Sequence, residues 1–302
     1  MAAEPIIQVV RDGDASKASP FTICIIANPA LEAPWKSGQF IGDSITDHRA
    51  EFDASVRYVV QALFGRLPNQ AEQFLGDATI APRIRVVSVF ADGLDAEDAT
   101  ALVGQDAVSN LLVPRRTAFA PFLARFGLAA DVAYAISRSE THTRASAWFT
   151  SDDDGRAGVA FSLDGVALSH RFWNLIPGTI AQHATSRSLT ALHEFGHALS
   201  SYSNGSVLDL YVDSPRGLNN KRGRPIPPGF AVYNGIALAA DATRDGLGYG
   251  SWQSYHCELN DPEFPAVMDN YWLAHDHVPE HCQHDRITRM FLLDRIRAKL
   301  GR

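Results

Sequence analysis

Residues 193–197 read His193-Glu194-Phe195-Gly196-His197, and this run constrains the fold more than any other part of the chain. Two histidines four apart share one face of a helix, so their imidazoles can grip a single metal ion. Glu194 can serve as general base toward a water that such a metal activates. The pattern demands a helix, and the flanks supply one. Leu189, Leu192, Phe195, Ala198, Leu199 and Tyr202 recur at helical spacing and predict its buried face. Ser186 or Ser188 suits the N-cap, and Ser203-Asn204-Gly205 suits a C-terminal turn. Gly196 costs about 1 kcal/mol against Ala inside a helix, so a close packing contact is expected there. A core helix with merely hydrogen-bonded histidines is the competing reading.

Ahead of the motif the chain reads as strands with helices between them. Phe21 to Ala27 is a continuous apolar run, as expected of a buried strand, and Asn28-Pro29 ends it. Residues 50–64 have helical periodicity through Phe52, Val56, Val59, Val60 and Leu63, and Ile84 to Phe90 is a second strand. Strand, helix, strand predicts a parallel βαβ unit. A short helix is expected over 116–127, with strands at Ala130–Ile136 and Ser146–Thr150. Ser151-Asp152-Asp153-Asp154-Gly155 then turns into the run Gly158–Leu163. Its three carboxylates admit calcium, but a solvated turn is the simpler reading. Residues 1–20 read as a polar tail, 21–202 as a sheet and helix lobe ending in the motif helix, and 203–302 as a loop-rich C-terminal lobe. That lobe ends in a helix from about Asp285 to Leu300. The expected class is α/β (α+β), one catalytic domain overall.

Composition narrows the function. With 302 residues and 46% hydrophobic content the chain can bury a sizeable core. A net charge of −7 gives no basic balance for nucleic acid. The one basic patch, Arg216, Lys221, Arg222 and Arg224, lies among Gly, Asn and Pro and reads as a loop. No run approaches the roughly 18 apolar residues of a membrane span. The N-terminus lacks signal-peptide features, which fits a cytoplasmic protein or a mature secreted form. Cys24 is expected to be a buried thiol; Cys257 and Cys282 are either bonded to each other or both reduced.

A catalytic zinc takes three protein ligands and keeps one position open. The short-linker pattern HExxHxxGxxH/D is not met, because Ser200 and Ser203 stand at its Gly and ligand positions. A nearby second-helix Glu is lacking too, since the next one is Glu258. Asp209 is the first acidic residue past the turn at Gly205, with Asp213 second and His256 the best histidine rival. His275, His277, His281 and His284 form a looser group, either a surface cluster or a second metal site.

The HEFGH run, followed by Val207-Leu208-Asp209-Leu210-Tyr211, resembles the IgA-peptidase-like family of zinc peptidases. Members carry HEFGH and then Leu-x-Asp-Glu-Tyr; here Leu replaces Glu and a few extra residues separate the two motifs. The upstream order of strand, helix with an early Phe (Phe52) and strand is also similar. The resemblance implies a zincin-like fold: a mixed twisted sheet with backing helices and an active-site helix. It implies zinc-dependent peptide hydrolysis, with Zn²⁺ held by His193, His197 and Asp209 and with Glu194 as base. It carries no substrate with it. Pro265-Ala266-Val267-Met268-Asp269-Asn270-Tyr271 resembles the Met-containing turn beneath the zinc of metzincin-like peptidases. Met268 would floor the site, as well as ordinary core packing explains it, and Tyr271 or Tyr211 would face the oxyanion. A peptide or protein substrate is expected to extend along the edge strand near Val159 and Phe161. Two rival readings stay open: a zinc amidase acting on a cell-wall peptide, and a non-catalytic zincin-like binding protein. Glu194 argues against the second, because a structural site needs no general base.

Overall fold

The computed structural model describes residues 5–14, 20–65, 73–147, 164–170, 190–199 and 286–301, together with 206–207, 212–213, 217–218, 230–233, 236–239, 254–255, 267 and 284. In chain order the principal elements are β1 (Ile6–Arg11), β2 (Phe21–Ala27), β3 (Ala30–Glu32), β4 (Phe40–Gly42), α1 (Arg49–Leu63), β5 (Ile84–Phe90), β6 (Ala101–Gln105) and β7 (Leu112–Pro114). They continue with α2 (Arg116–Ala124), β8 (Val132–Ser137), β9 (Ser146–Ala147), β10 (Asp164–Ser169), the motif helix α3 (190–198) and α4 (Arg286–Leu300).

Six strands form the main sheet in the order β1-β5-β2-β8-β10-β9. The four central strands are mutually parallel, and both edge strands run antiparallel to their neighbours. A second, mixed sheet has the order β4-β3-β6-β7. The fold is therefore mixed α/β, compatible with the α+β expectation. The parallel βαβ unit is present: β2 and β5 pair directly, with α1 between them in sequence.

Strand alternation explains why β2 reads as unbroken apolar sequence. Phe21, Ile23 and Ile25 enter one core, while Cys24 and Ile26 enter the other. The first core lies between the sheet and α1, α3 and α4, and it takes in Leu192 and Phe195 of α3 with Leu292 and Ile296 of α4. The second holds α2 and the small sheet, through Phe119, Phe122, Leu102 and Val103. Gly165 of β10 lets α2 approach closely, because a Cβ at that position would fall 2.5 Å from Phe119 Cε2.

Polar residues close the carboxyl ends of the central strands. Buried Asp43 accepts hydrogen bonds from Asn28 Nδ2 (2.8 Å), the Ile45 amide (3.0 Å) and the Arg138 amide (2.9 Å). Asn28 Oδ1 in turn accepts from the Leu102 amide of the second sheet. The two sheets are thus bracketed through backbone groups that burial would otherwise leave unpaired.

One sequence reading shifts. Ile6–Arg11, expected within a polar tail, forms edge strand β1: its backbone pairs with β5 while its side chains stay largely exposed. The partner of β9 among the described residues is Asp164–Ser169, whereas the expected strand Gly158–Leu163 and the turn at 151–155 lie outside them. The terminal helix is present at nearly its expected bounds, and its Leu292, Leu293, Ile296 and Leu300 join the core of the main sheet. Between α3 and α4, short strand pairs join Ser206–Val207 to Ser254–Tyr255, Val212–Asp213 to Gly217–Leu218, and Phe230–Tyr233 to Ile236–Ala239. No helix among the described residues is long and apolar enough to cross a membrane.

Candidate metal centre

The helix demanded by the motif is present over residues 190–198. Leu192, Phe195, Ala198 and Leu199 are buried in the core, as the periodicity predicts, and Ala191 joins them; Leu189 and Tyr202 lie outside the described residues. The Phe195 ring packs beside Phe21 of β2 with centroids 6.4 Å apart. At the other end of the helix, Arg295 of α4 donates from Nε to the Leu199 carbonyl at 3.1 Å. A cation suits that place, where the last carbonyls lack intrahelical partners and the helix dipole is negative.

One turn of α3 brings the two imidazoles together. Their rings stand nearly perpendicular, 86° apart, with the Nε2 atoms 3.3 Å from each other. His193 Nδ1 lies 2.7 Å from the Val267 carbonyl. A carbonyl oxygen only accepts, so Nδ1 carries a proton and Nε2 is the ring nitrogen that faces His197. The Nε2 separation exceeds the ~2.9 Å usual for a hydrogen bond. It matches the bite of about 3.3–3.4 Å that two imidazoles span on one tetrahedral zinc at about 2.0–2.1 Å. The carbonyl on the outer ring nitrogen is also the partner that metal-ligating histidines commonly have.

Glu194 and His193 are both buried, and His197 is half-buried. Beneath them Tyr134 of β8 donates from its hydroxyl to the Ala191 carbonyl at 2.8 Å. Burial, reinforced by the nearby Glu194 charge, pushes the Tyr134 phenol well above its usual pKa. His284, just ahead of α4, is buried as well. Burial first, then the charge on His193, holds its imidazole down to about 3, against a smaller opposing pull from the Leu192 carbonyl.

His193, Glu194 and His197 are thus brought together on one buried helix. Among the described residues no group of three His, Cys, Asp or Glu side chains is arranged to hold a metal. Asp209, Tyr211, Met268, Tyr271, Val159 and Phe161 lie outside the described residues, as do His256, His275, His277, His281, Cys257 and Cys282. Asp213 is described only as backbone, paired with Gly217. Val267, the residue before Met268 in the sequence, is described and buried, and it supplies the carbonyl that orients His193. Tyr134 and Arg295 went unnoticed in the sequence. Tyr134 left a trace: a lone hydroxyl in an apolar strand has to find a partner when buried.

No family model matches the chain, and no curated protein matches it significantly.

Proposed function

We propose that the chain is a zinc-dependent metallopeptidase. The observation that carries this reading is the pair of Nε2 atoms 3.3 Å apart, with the proton of His193 committed to Nδ1. The two Nε2 atoms then face one point where a single cation can be shared. Glu194, buried on the same turn, supplies what a purely structural metal site would not need.

In this reading His193 and His197 hold the metal, with Asp209 as the third ligand suggested by the sequence. Zinc, when bound, supplies Lewis acidity that polarises the scissile carbonyl and lowers the pKa of water toward about 7. Glu194 accepts the proton from the attacking water and returns it to the leaving amine. Tyr271 or Tyr211 donates a hydrogen bond to the developing oxyanion, and Met268 floors the site. An extended peptide runs along the sheet edge, where β9 carries Ala147 against the core shared with α3. Val159 and Phe161 belong to the chain that follows β9.

The test is Glu194→Gln, assayed on denatured casein together with metal analysis. Zinc should remain near one per chain while hydrolysis falls by at least about a hundredfold, the lower end of what a general base contributes. Full activity with zinc retained would remove Glu194 from the mechanism.

A further inference from the structure

We infer that Tyr134 is a positioning residue for Glu194, acting through the Ala191 carbonyl of the motif helix; this rests on the metallopeptidase reading. On the α3 side of β8 the neighbours of Tyr134 in the strand are Val132 and Ile136, so the phenol is the one polar group this stretch presents. It is fully buried and its hydroxyl reaches Ala191 O at 2.8 Å. Ala191 and Glu194 are three apart and share a helix face. The bond therefore fixes how α3 sits on the sheet at the face that bears the carboxylate.

The direction of the bond matters. The phenolic proton goes to the backbone carbonyl, so it is already committed and is not offered to Glu194. The carboxylate is held at a set height without the phenol competing for it as a donor. The imidazole pair depends on Tyr134 far less. Its spacing arises within one turn of α3, and His193 is oriented by Val267 from elsewhere in the chain. Removing the hydroxyl should therefore separate catalysis from metal binding, which a general packing role would not do.

The experiment is a double-mutant cycle of Tyr134→Phe with Glu194→Asp. It reads hydrolysis of a quenched-fluorescent peptide mixture and zinc affinity by competition with a chromogenic chelator. Tyr134→Phe should keep zinc affinity within about threefold and KM within about twofold, while kcat falls about tenfold or more, as expected for a catalytic group displaced by a fraction of an ångström. In the Glu194→Asp background the same change should cost less than about threefold, because coupled positions are not additive. 4-Aminophenylalanine at 134 restores a donor to Ala191 O and should recover kcat. Equal losses in both backgrounds, unchanged kcat, or zinc lost together with activity would each reduce Tyr134 to packing. A wild-type chain with neither zinc nor hydrolysis would instead sink the peptidase reading, and this inference with it.

Discussion

The Val267 carbonyl oxygen accepts the Nδ1 proton of His193 at 2.7 Å, across 74 residues of sequence. That bond keeps a proton on Nδ1 of the first motif histidine and leaves Nε2 as the ring nitrogen that faces His197. It also ties Val267, the residue before Met268 in the sequence, to the motif helix. The expected consequence is metal-linked stability. Zinc at 100 times its Kd should stabilise the chain by about 2.7 kcal/mol, and a chelator should reverse the gain. His197→Ala should abolish that shift in thermal melts. A shift of equal size in the variant would place the metal elsewhere.

Arg295 reaches from α4 to the last turn of the motif helix and is itself buried. Truncation to Ala leaves the Leu199 carbonyl without that donor and removes packing against it. A loss of about 2–3 kcal/mol in urea unfolding is expected, in line with removal of a charged hydrogen-bond partner from a buried acceptor. Arg295→Lys should recover part of it. A loss within about 0.5 kcal/mol, typical of surface changes, would mean that the contact does not matter.

Asp43 accepts from three donors in a buried setting, and burial nevertheless raises its pKa above the usual carboxylate value. Asp43→Ala strands Asn28 Nδ2 and two backbone amides. Destabilisation of about 2–4 kcal/mol is expected, since each unsatisfied buried donor carries a desolvation penalty. Asp43→Asn should fall between Ala and wild type, because its amide nitrogen presents a donor where acceptors are required. Chemical denaturation of the three proteins gives the order directly.

Cys24 sits in the middle of β2, and burial pushes its thiol up to about 12. The thiolate is the reactive form, so native Cys24 should resist iodoacetamide at pH 8 and label only when the chain unfolds. Peptide mapping after a pulse of reagent, with and without urea, reads this. Rapid native labelling would show that β2 opens locally.

His284 gives a pH dependence whose sign follows from its depressed pKa. Below about 6.5 the unfolded chain takes up a proton that the folded chain refuses until about 3. Stability is therefore complete above pH 6.5 and is lost as pH falls toward 3. The slope from this one group reaches about 1.4 kcal/mol per pH unit. His284→Leu should flatten that limb of the metal-free protein. An unchanged slope would assign the acid sensitivity to other groups.

Much of the fold was legible because its signals are local. The continuous run Phe21–Ala27 announced a strand buried on both faces, and the 3.6-residue spacing through Phe52, Val56 and Val59 announced α1. β1 was not legible: Ile6–Arg11 leaves its side chains exposed and is held by backbone pairing with β5, which composition does not report. At the site, His193, Glu194 and His197 were visible because one helical turn fixes their relationship. Tyr134, Val267 and Arg295 were not, because each reaches α3 from a distant segment through a backbone carbonyl or a backbone-directed bond. Such contacts follow from topology and leave no spacing rule in the sequence.

The place of α4 has a consequence for how the molecule comes into being. During synthesis the motif leaves the ribosome well before α4 does, yet Leu292, Ile296 and Arg295 complete the core and the helix end on which the motif rests. A nascent chain can wind α3 and lay it on β2 and β8, but it still lacks the part of the core, and the donor to the Leu199 carbonyl, that α4 supplies. The seating of the paired imidazoles is therefore complete only once α4 has docked, so chain growth itself sets when the helix end is closed.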